Sequence, residues 1–147
     1  MAIANLHETI LSYKLRRNEL NLEITELQNQ KALATYSQAD VQSLRNAETR
    51  SVRSYFKGLF EEDQGTNGAH IYDNYTDYTE IPDFEEEIDK ITAKFQDELD
   101  ELTAWETNLD AQITTDSAEL EEVNAYLESY SSMLSSNIQE DFDYSIK

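Results

Sequence analysis

The sequence contains no cysteine, only one proline and only three glycines among its 147 residues. Without cysteine, the chain can form no disulfide, thiolate metal site or cysteine nucleophile. So few glycines and prolines supply too few tight turns for a sandwich, a barrel or an α/β fold, which need many short connections. The composition therefore favours a small number of long helices within one domain.

Long hydrophobic runs are also missing. No stretch approaches the roughly 18 consecutive apolar residues of a membrane-spanning helix. The first 20 residues carry charges where a conventional signal peptide has an unbroken apolar core. We therefore expect no membrane insertion. The localisation stays open between a cytoplasmic protein and one exported without a conventional signal peptide.

Positive charge is scarce and unevenly distributed, since 11 Lys and Arg stand against 31 Asp and Glu for a net charge of −20. Residues 1–60 contain eight basic and six acidic residues, whereas residues 61–147 contain three and 25. Nucleic acid is an unfavourable partner because phosphate binding needs clustered Lys and Arg. The opposite charges of the two halves would instead attract each other, within one chain or between neighbouring chains.

The first half has the pattern of a helix that packs along one side. Apolar or long side chains recur every three or four residues, at Ile3, Leu6, Ile10, Tyr13, Arg17, Leu20, Ile24, Leu27, Lys31 and Ala34. This spacing predicts a heptad seam. Leu11, Leu15 and Leu22 widen the apolar face and predict a second neighbour. On the seam, Arg17 and Lys31 either extend their charged ends to its edge or fix the register against the acidic half.

The second half predicts an even longer helix. Pro82 suits the first helical turn, and Asp83 suits the positive end of a helix. An apolar stripe follows with an average spacing of about 3.6 residues. Its packing positions are Phe84, Ile88, Ile91, Phe95, Leu99, Leu102, Trp105, Leu109, Ile113, Leu120, Leu127, Leu134 and Ile138. Like the seam of the first half, these residues are expected to pack within one chain or between chains.

These patterns divide the chain into a helical arm at residues 1–60, an acidic and tyrosine-rich loop at 61–83, and an acidic helical arm at 84–147. Two arms of similar length predict an all-α fold, a long antiparallel helical hairpin. The periodicity weakens near Ser37 and Thr115, so both arms could bend there. Folding the arms at these points would give the alternative, a compact four-helix bundle.

Part of the central loop has a loose likeness to a calcium-binding loop. Asp63, Asn67 and Gly68 fit the first, fifth and sixth positions of an EF-hand. Gly65 and Asn74 occupy the third and twelfth positions, where that loop needs oxygen ligands and a bidentate glutamate. The departure disfavours an EF-hand.

The rest of the loop allows three interpretations, in the order ordered connection, recognition tip and metal site. The tyrosines Tyr72, Tyr75 and Tyr78 alternate with polar residues and are predicted to be exposed. A looser cation site would use four carboxylates, those of Asp73, Asp77, Glu80 and Asp83. No metal site is expected.

No motif in the sequence indicates catalysis. It has two histidines, His7 and His70, and no phosphate loop, nucleophile elbow, zinc-ligand spacing or dinucleotide fingerprint. We therefore expect neither enzymatic activity nor a cofactor.

The leading functional hypothesis is a structural protein that assembles with copies of itself. Its basis is the wide seams, the opposite charges of the two halves and apolar positions that continue to Phe142, Tyr144 and Ile146. A repeated head-to-tail contact would give an open filament. In layout the chain resembles the helical-hairpin subunits of secretion needles and flagellar-type filaments, which implies helical arms in the tube core and an outward-facing central segment. The alternatives are a soluble coiled-coil adaptor or scaffold for another helical protein, and a cation-responsive binding protein.

Overall fold

The computed structural model describes residues 2–146. It contains two long α-helices, α1 at Ile3–Gln64 and α2 at Pro82–Ile146, with a short 3-10 helix at Tyr78–Glu80 between them. The two α-helices pack against each other as an antiparallel hairpin, which confirms the leading prediction of the fold. Of the terminal apolar positions noted above, the side chain of Ile146 lies outside the described part of the chain.

Both ends of the central loop follow from helix-end chemistry. Helix α1 ends at Gln64, and the amide of Gly65 still donates to the carbonyl of Glu61 at 3.0 Å. Pro82 is the first residue of α2, where its missing N–H leaves no intrahelical hydrogen bond unmade. The amide of Phe84 donates to the carbonyl of Ile81 at 3.0 Å. The loop therefore begins at a glycine, Gly65, and ends before a proline, Pro82, two residue types that favour helix ends.

Neither weak point in the periodicity interrupts a helix. Helix α1 is continuous through Ser37, and α2 is continuous through Thr115, so the four-helix bundle is not formed. The hydroxyl of Thr115 donates to the carbonyl of Ala111 at 3.0 Å, which satisfies this polar side chain inside the helix. Breaking either helix there would leave backbone N–H and C=O groups without partners, and no glycine or proline lies near Ser37 or Thr115 to favour a break.

The chain divides into two compact units. The first unit combines residues 1–32 with 107–147, and the second contains residues 33–106. The core of the first unit consists of Ile10, Leu20, Val123 and Leu127, surrounded by half-buried apolar side chains. The ring of Tyr13 stacks on those of Tyr126 and Tyr130, with centroids 5.4 and 5.8 Å apart.

The second unit has its own core at the loop end of the hairpin, made by Phe56, Ile81 and Phe84. The Phe56 and Phe84 rings meet edge to face with centroids 5.6 Å apart. The ring of Tyr78 packs in the same way on Phe84 at 5.4 Å. The loop is therefore folded onto the hairpin and contributes to the core.

The predicted packing positions differ in burial. Those that are buried are Leu6, Ile10, Leu20, Phe84, Ile91, Phe95, Leu109 and Leu127. Those that are half-buried are Ile3, Tyr13, Ile24, Leu27, Ile88, Leu99, Leu102, Trp105, Ile113, Leu120 and Leu134. Ile138 is 51% exposed. It lies one turn beyond Leu134, which still packs against the first core, so Ile138 is not part of the intramolecular core.

Candidate interaction surfaces

Helix α1 leaves large apolar side chains uncovered in the first unit. Leu11, Leu15 and Leu22 are 46%, 65% and 69% exposed. The sequence placed these leucines beside the seam and predicted a second neighbour for them. In the structure α2 does not cover them, so the surface that such a neighbour would contact is free.

In the second unit, Leu33, Leu44 and Tyr55 are 57%, 56% and 63% exposed and follow one another at intervals of eleven residues. Eleven residues make about three turns of an α-helix, so these side chains share one side of α1. We call this set the apolar row. Leu11 and Leu22 repeat the same spacing in the first unit. Counting by heptads missed the row, and the eleven-residue interval is the signal that would have found it.

A second feature of the second unit is the basic row, which we define as Arg50, Arg53 and Lys57. These residues are exposed, and their spacing places them on one side of α1. Arg50 Nε donates to the carbonyl of Asn46 at 3.4 Å. The Arg53 guanidinium lies 5.6 Å from the centre of the Phe84 ring, a cation–π distance.

The basic row makes no ion pair with any carboxylate in residues 2–146, and neither does the half-buried Arg45. Arg53 reaches the Phe84 ring of α2, and Arg50 donates to a backbone carbonyl of its own helix, so neither side chain pairs with a carboxylate of α2.

The acidic face of α2 in the second unit is also incompletely neutralised. Lys90 pairs with Glu86 at 3.4 Å and with Glu87 at 3.5 Å on its own helix. Both carboxylates raise the pKa of Lys90, and the larger effect is that of Glu87. Lys94 pairs with Glu48 of α1 at 3.6 Å. Several carboxylates stay exposed without a cation in the described chain, namely Glu85, Asp89, Asp97, Glu98, Asp100 and Glu101.

The first unit does show ion pairs between the helices. Arg16 Nε and Nη2 donate to the two carboxylate oxygens of Glu119 at 2.8 and 2.9 Å. This contact lowers the pKa of Glu119. Lys31 Nζ lies 2.7 Å from Asp110 Oδ1, so this seam lysine does contact the acidic arm. Arg17, the other seam cation, is half-buried and makes no ion pair with the described residues.

One pair of like charges also lies between the helices of the first unit. Asp116 of α2 raises the pKa of Glu23 of α1, chiefly through charge repulsion. Both residues line an open groove of about 450 Å³, together with Leu27 and Thr115. This repulsion locally destabilises the contact between the two helices, which is elsewhere stabilised by pairs of opposite charge.

Asp63 organises the loop, a role that the sequence did not reveal. Its carboxylate is buried, and Oδ1 accepts the amide of Ile71 at 2.8 Å while Oδ2 accepts the amide of Tyr72 at 3.1 Å. Its backbone carbonyl contacts Nδ1 of His70. Sequence reasoning considered Asp63 only as a calcium ligand, because amides eight and nine residues away give no local signal.

The four candidate cation ligands are not brought together. Asp77 caps the 3-10 helix, accepting the amide of Tyr78 at 2.8 Å and the Thr79 hydroxyl at 3.0 Å. Glu80 accepts the amide and hydroxyl of Thr76. Asp73 and Asp83 are exposed. Across residues 2–146, no group of three or more His, Asp or Glu side chains is placed to hold a metal ion.

The prediction of three exposed loop tyrosines is wrong. Tyr72, Tyr75 and Tyr78 are half-buried and pack against the core around Phe56 and Phe84. Their alternation with polar residues reflects one side of the loop folding onto the hairpin. A large apolar side chain that the loop does expose is that of Ile71, which is 82% exposed.

The chain matches no family model, and neither the curated proteins nor the solved structures contain a significant match. Within the described residues, no helix is both long enough and apolar enough to span a membrane. The many exposed apolar side chains indicate contact with a protein partner or with a second copy.

Proposed function

We propose that the protein is a non-enzymatic structural subunit that assembles with copies of itself through its helical arms, as in a filament or a secretion-apparatus-type structure. The observation that carries this proposal is the apolar row of Leu33, Leu44 and Tyr55. Single exposed apolar residues are ordinary on protein surfaces. A regular row along one side of a helix is the pattern by which one helix contacts another.

The size of the row supports a repeated contact over a single tight one. Full burial of a leucine or comparable side chain contributes roughly 1.5–3 kcal/mol. Three such residues supply several kcal/mol, which is comparable to the cost of bringing two molecules together. One contact is therefore weak, and an assembly in which each copy makes several contacts gains stability with concentration.

Catalysis is not part of this proposal. The pKa of Arg16 is raised, first by Glu119 and then by Glu19, and the pKa of Glu119 is lowered by Arg16, so ion pairs on the hairpin surface account for both shifts. A structural ion pair of this kind is a common cause of such shifts outside active sites. His70 is held in the loop by Asp63.

The alternative is a soluble coiled-coil adaptor or scaffold, in which the apolar row receives a helix of a different protein. The apolar row supports this function by the same apolar contacts. The filament and adaptor functions differ in whether the assembly keeps growing as the concentration rises. A filament subunit elongates with concentration, whereas an adaptor stops at a closed complex. A cation-responsive function draws no support from the loop, because Asp77 and Glu80 already accept hydrogen bonds from neighbouring groups.

Negative-stain electron microscopy and light scattering across a concentration series test the proposal. We expect the wild type to elongate and the double variant Leu33→Gln with Leu44→Gln to stay small. The matched control is Ala39→Gln with Ser43→Gln, which places the same side chain at exposed positions of the same helix outside the row. Circular dichroism checks that all three proteins are equally helical. A discrete small oligomer of the wild type at every concentration would contradict filament assembly and favour the adaptor.

A further inference from the structure

We propose that a second copy of this chain docks on the second unit by charge, with the basic row of one copy against the exposed acidic face of α2 in the next. The proposal rests on the self-assembly proposed above and assigns it a surface and a partner. The carrying observation is that both charged faces exist in one unit, that the basic row makes no ion pair with the described residues, and that ion pairs neutralise the acidic face only in part.

The basic row is available to a partner. Arg50 and Lys57 are seven residues apart, which is about two helical turns, and both are exposed. Neither forms an ion pair with the described residues, although α2 supplies many carboxylates in the same unit. Next to Arg50, a shallow depression lined by Ala47, Ser51 and Tyr55 leaves room for a side chain of a neighbouring helix.

The acidic face has more carboxylates than the two lysines of its segment can pair with. Asp89 and Asp97 are exposed and make no hydrogen bond or ion pair with the described residues. Like charges one turn apart, such as those of Glu85 and Asp89, repel each other and destabilise a helix. The two lysines of this segment are already paired. Cations from outside the chain would therefore relieve repulsion that the chain leaves uncompensated.

The two faces are not in contact with each other within the unit. The helices meet through buried rings, with Phe56 of α1 against Phe84 of α2, while Arg50, Lys57 and Asp97 stay exposed to solvent. Because the basic and acidic faces are different surfaces, one copy can use one face for each of two neighbours. Such a heterologous contact is the kind that gives an open assembly.

Two charge-reversed proteins test the proposal. The first carries Arg50→Glu and Lys57→Glu, and the second carries Asp89→Lys and Asp97→Lys. By light scattering at low salt, we expect each protein alone to associate at least roughly tenfold more weakly than the wild type, because like charges then face each other. An equal mixture of the two is expected to recover association, since each docking contact again joins opposite charges.

The matched control for the Asp89→Lys, Asp97→Lys protein is Glu121→Lys with Glu128→Lys on α2 in the first unit. It makes the same change in net charge at two other exposed positions of that helix. It should associate like the wild type, because both docking faces are unchanged. Association as weak as that of the Asp89→Lys, Asp97→Lys protein would show that net charge alone is responsible and would overturn the proposal. If the Glu variant loses helicity, Arg50→Gln with Lys57→Gln replaces it.

The remaining outcomes separate the two proposals. A wild type that associates, with both reversals associating equally well, overturns charge docking and leaves self-assembly standing. A wild type that stays monomeric at every concentration and salt overturns both. A monomeric wild type that binds an acidic coiled-coil peptide through Arg50 and Lys57 assigns the basic row to a different protein and likewise overturns docking between copies.

Discussion

The carboxylate of Asp63 in the last turn of α1 accepts the backbone amide of Ile71, with a distance of 2.8 Å between Oδ1 and N. Its other oxygen accepts the amide of Tyr72 at 3.1 Å. One buried side chain thus joins the end of a long helix to the loop eight residues further along. The half-buried tyrosines of the loop can then pack on the second core.

Replacing Asp63 with alanine is expected to loosen the loop and leave the two amides unpaired. Leaving a buried donor without its partner costs about 1–3 kcal/mol, so we expect unfolding to become easier by an amount of that order. Hydrogen exchange should accelerate at the amides of Ile71 and Tyr72. Asp73→Ala, at an exposed loop position, is the control and should leave both amides as slow as in the wild type. Equal exchange in the two variants would show that Asp63 does not hold the loop.

Two leucines on α1 provide a direct comparison of core and surface. Leu20 is fully buried and Leu22 is 69% exposed. Leu20→Ala should lower the free energy of unfolding by about 2–5 kcal/mol, because it removes core contacts and leaves a cavity. Leu22→Ala should change it by no more than about 0.5 kcal/mol in dilute solution. Urea unfolding at a concentration where the protein is monomeric measures both, and equal effects would contradict the packing described here.

The hairpin could be predicted from sequence because its signals are local. Apolar spacing of three and four residues identifies each helix, and Gly65 and Pro82 lie at the boundaries of the loop. The helices are not interrupted at Ser37 and Thr115, because weak periodicity does not break the backbone hydrogen bonds of a helix. The burial of the loop tyrosines could not be read from alternation alone, since the surface that covers them is assembled by Phe56 and Phe84.

Charge was only partly predictable for a related reason. Opposite charges on the two halves indicated attraction, and the pairs between Arg16 and Glu119 and between Lys31 and Asp110 agree with it. Composition does not tell which side of a helix each cation faces. The basic row shows this limit, because Arg50 and Lys57 have many carboxylates on the neighbouring helix and no ion pair with any of them.

The ion pair between Arg16 and Glu119 should make the free energy of unfolding depend on pH. The pKa of Glu119 is lower in the folded chain than its ordinary value of 4.5, so the pair stabilises the fold above that pH and loses its effect as the pH falls through the lowered pKa. Glu119→Gln should therefore lower the melting temperature at pH 7 and cease to do so in strong acid. Both side chains are partly exposed, so added salt should reduce the difference. A difference that persists at acidic pH would contradict this assignment.

The neighbouring pair of Glu23 and Asp116 should behave in the opposite way. The negative charge of Asp116 raises the pKa of Glu23, so the repulsion acts fully when pH is above that raised pKa and fades when Glu23 is protonated. Asp116→Asn is expected to raise the melting temperature at pH 7 and to have little effect below the ordinary glutamate pKa. Asp110→Asn is the matched control on the same helix, and it should lower the melting temperature at pH 7 because Asp110 pairs with Lys31 at 2.7 Å. Thermal melts of both variants across pH test this prediction. If both variants changed the melting temperature at pH 7 in the same direction, the contacts assigned to Asp110 and Asp116 would be wrong.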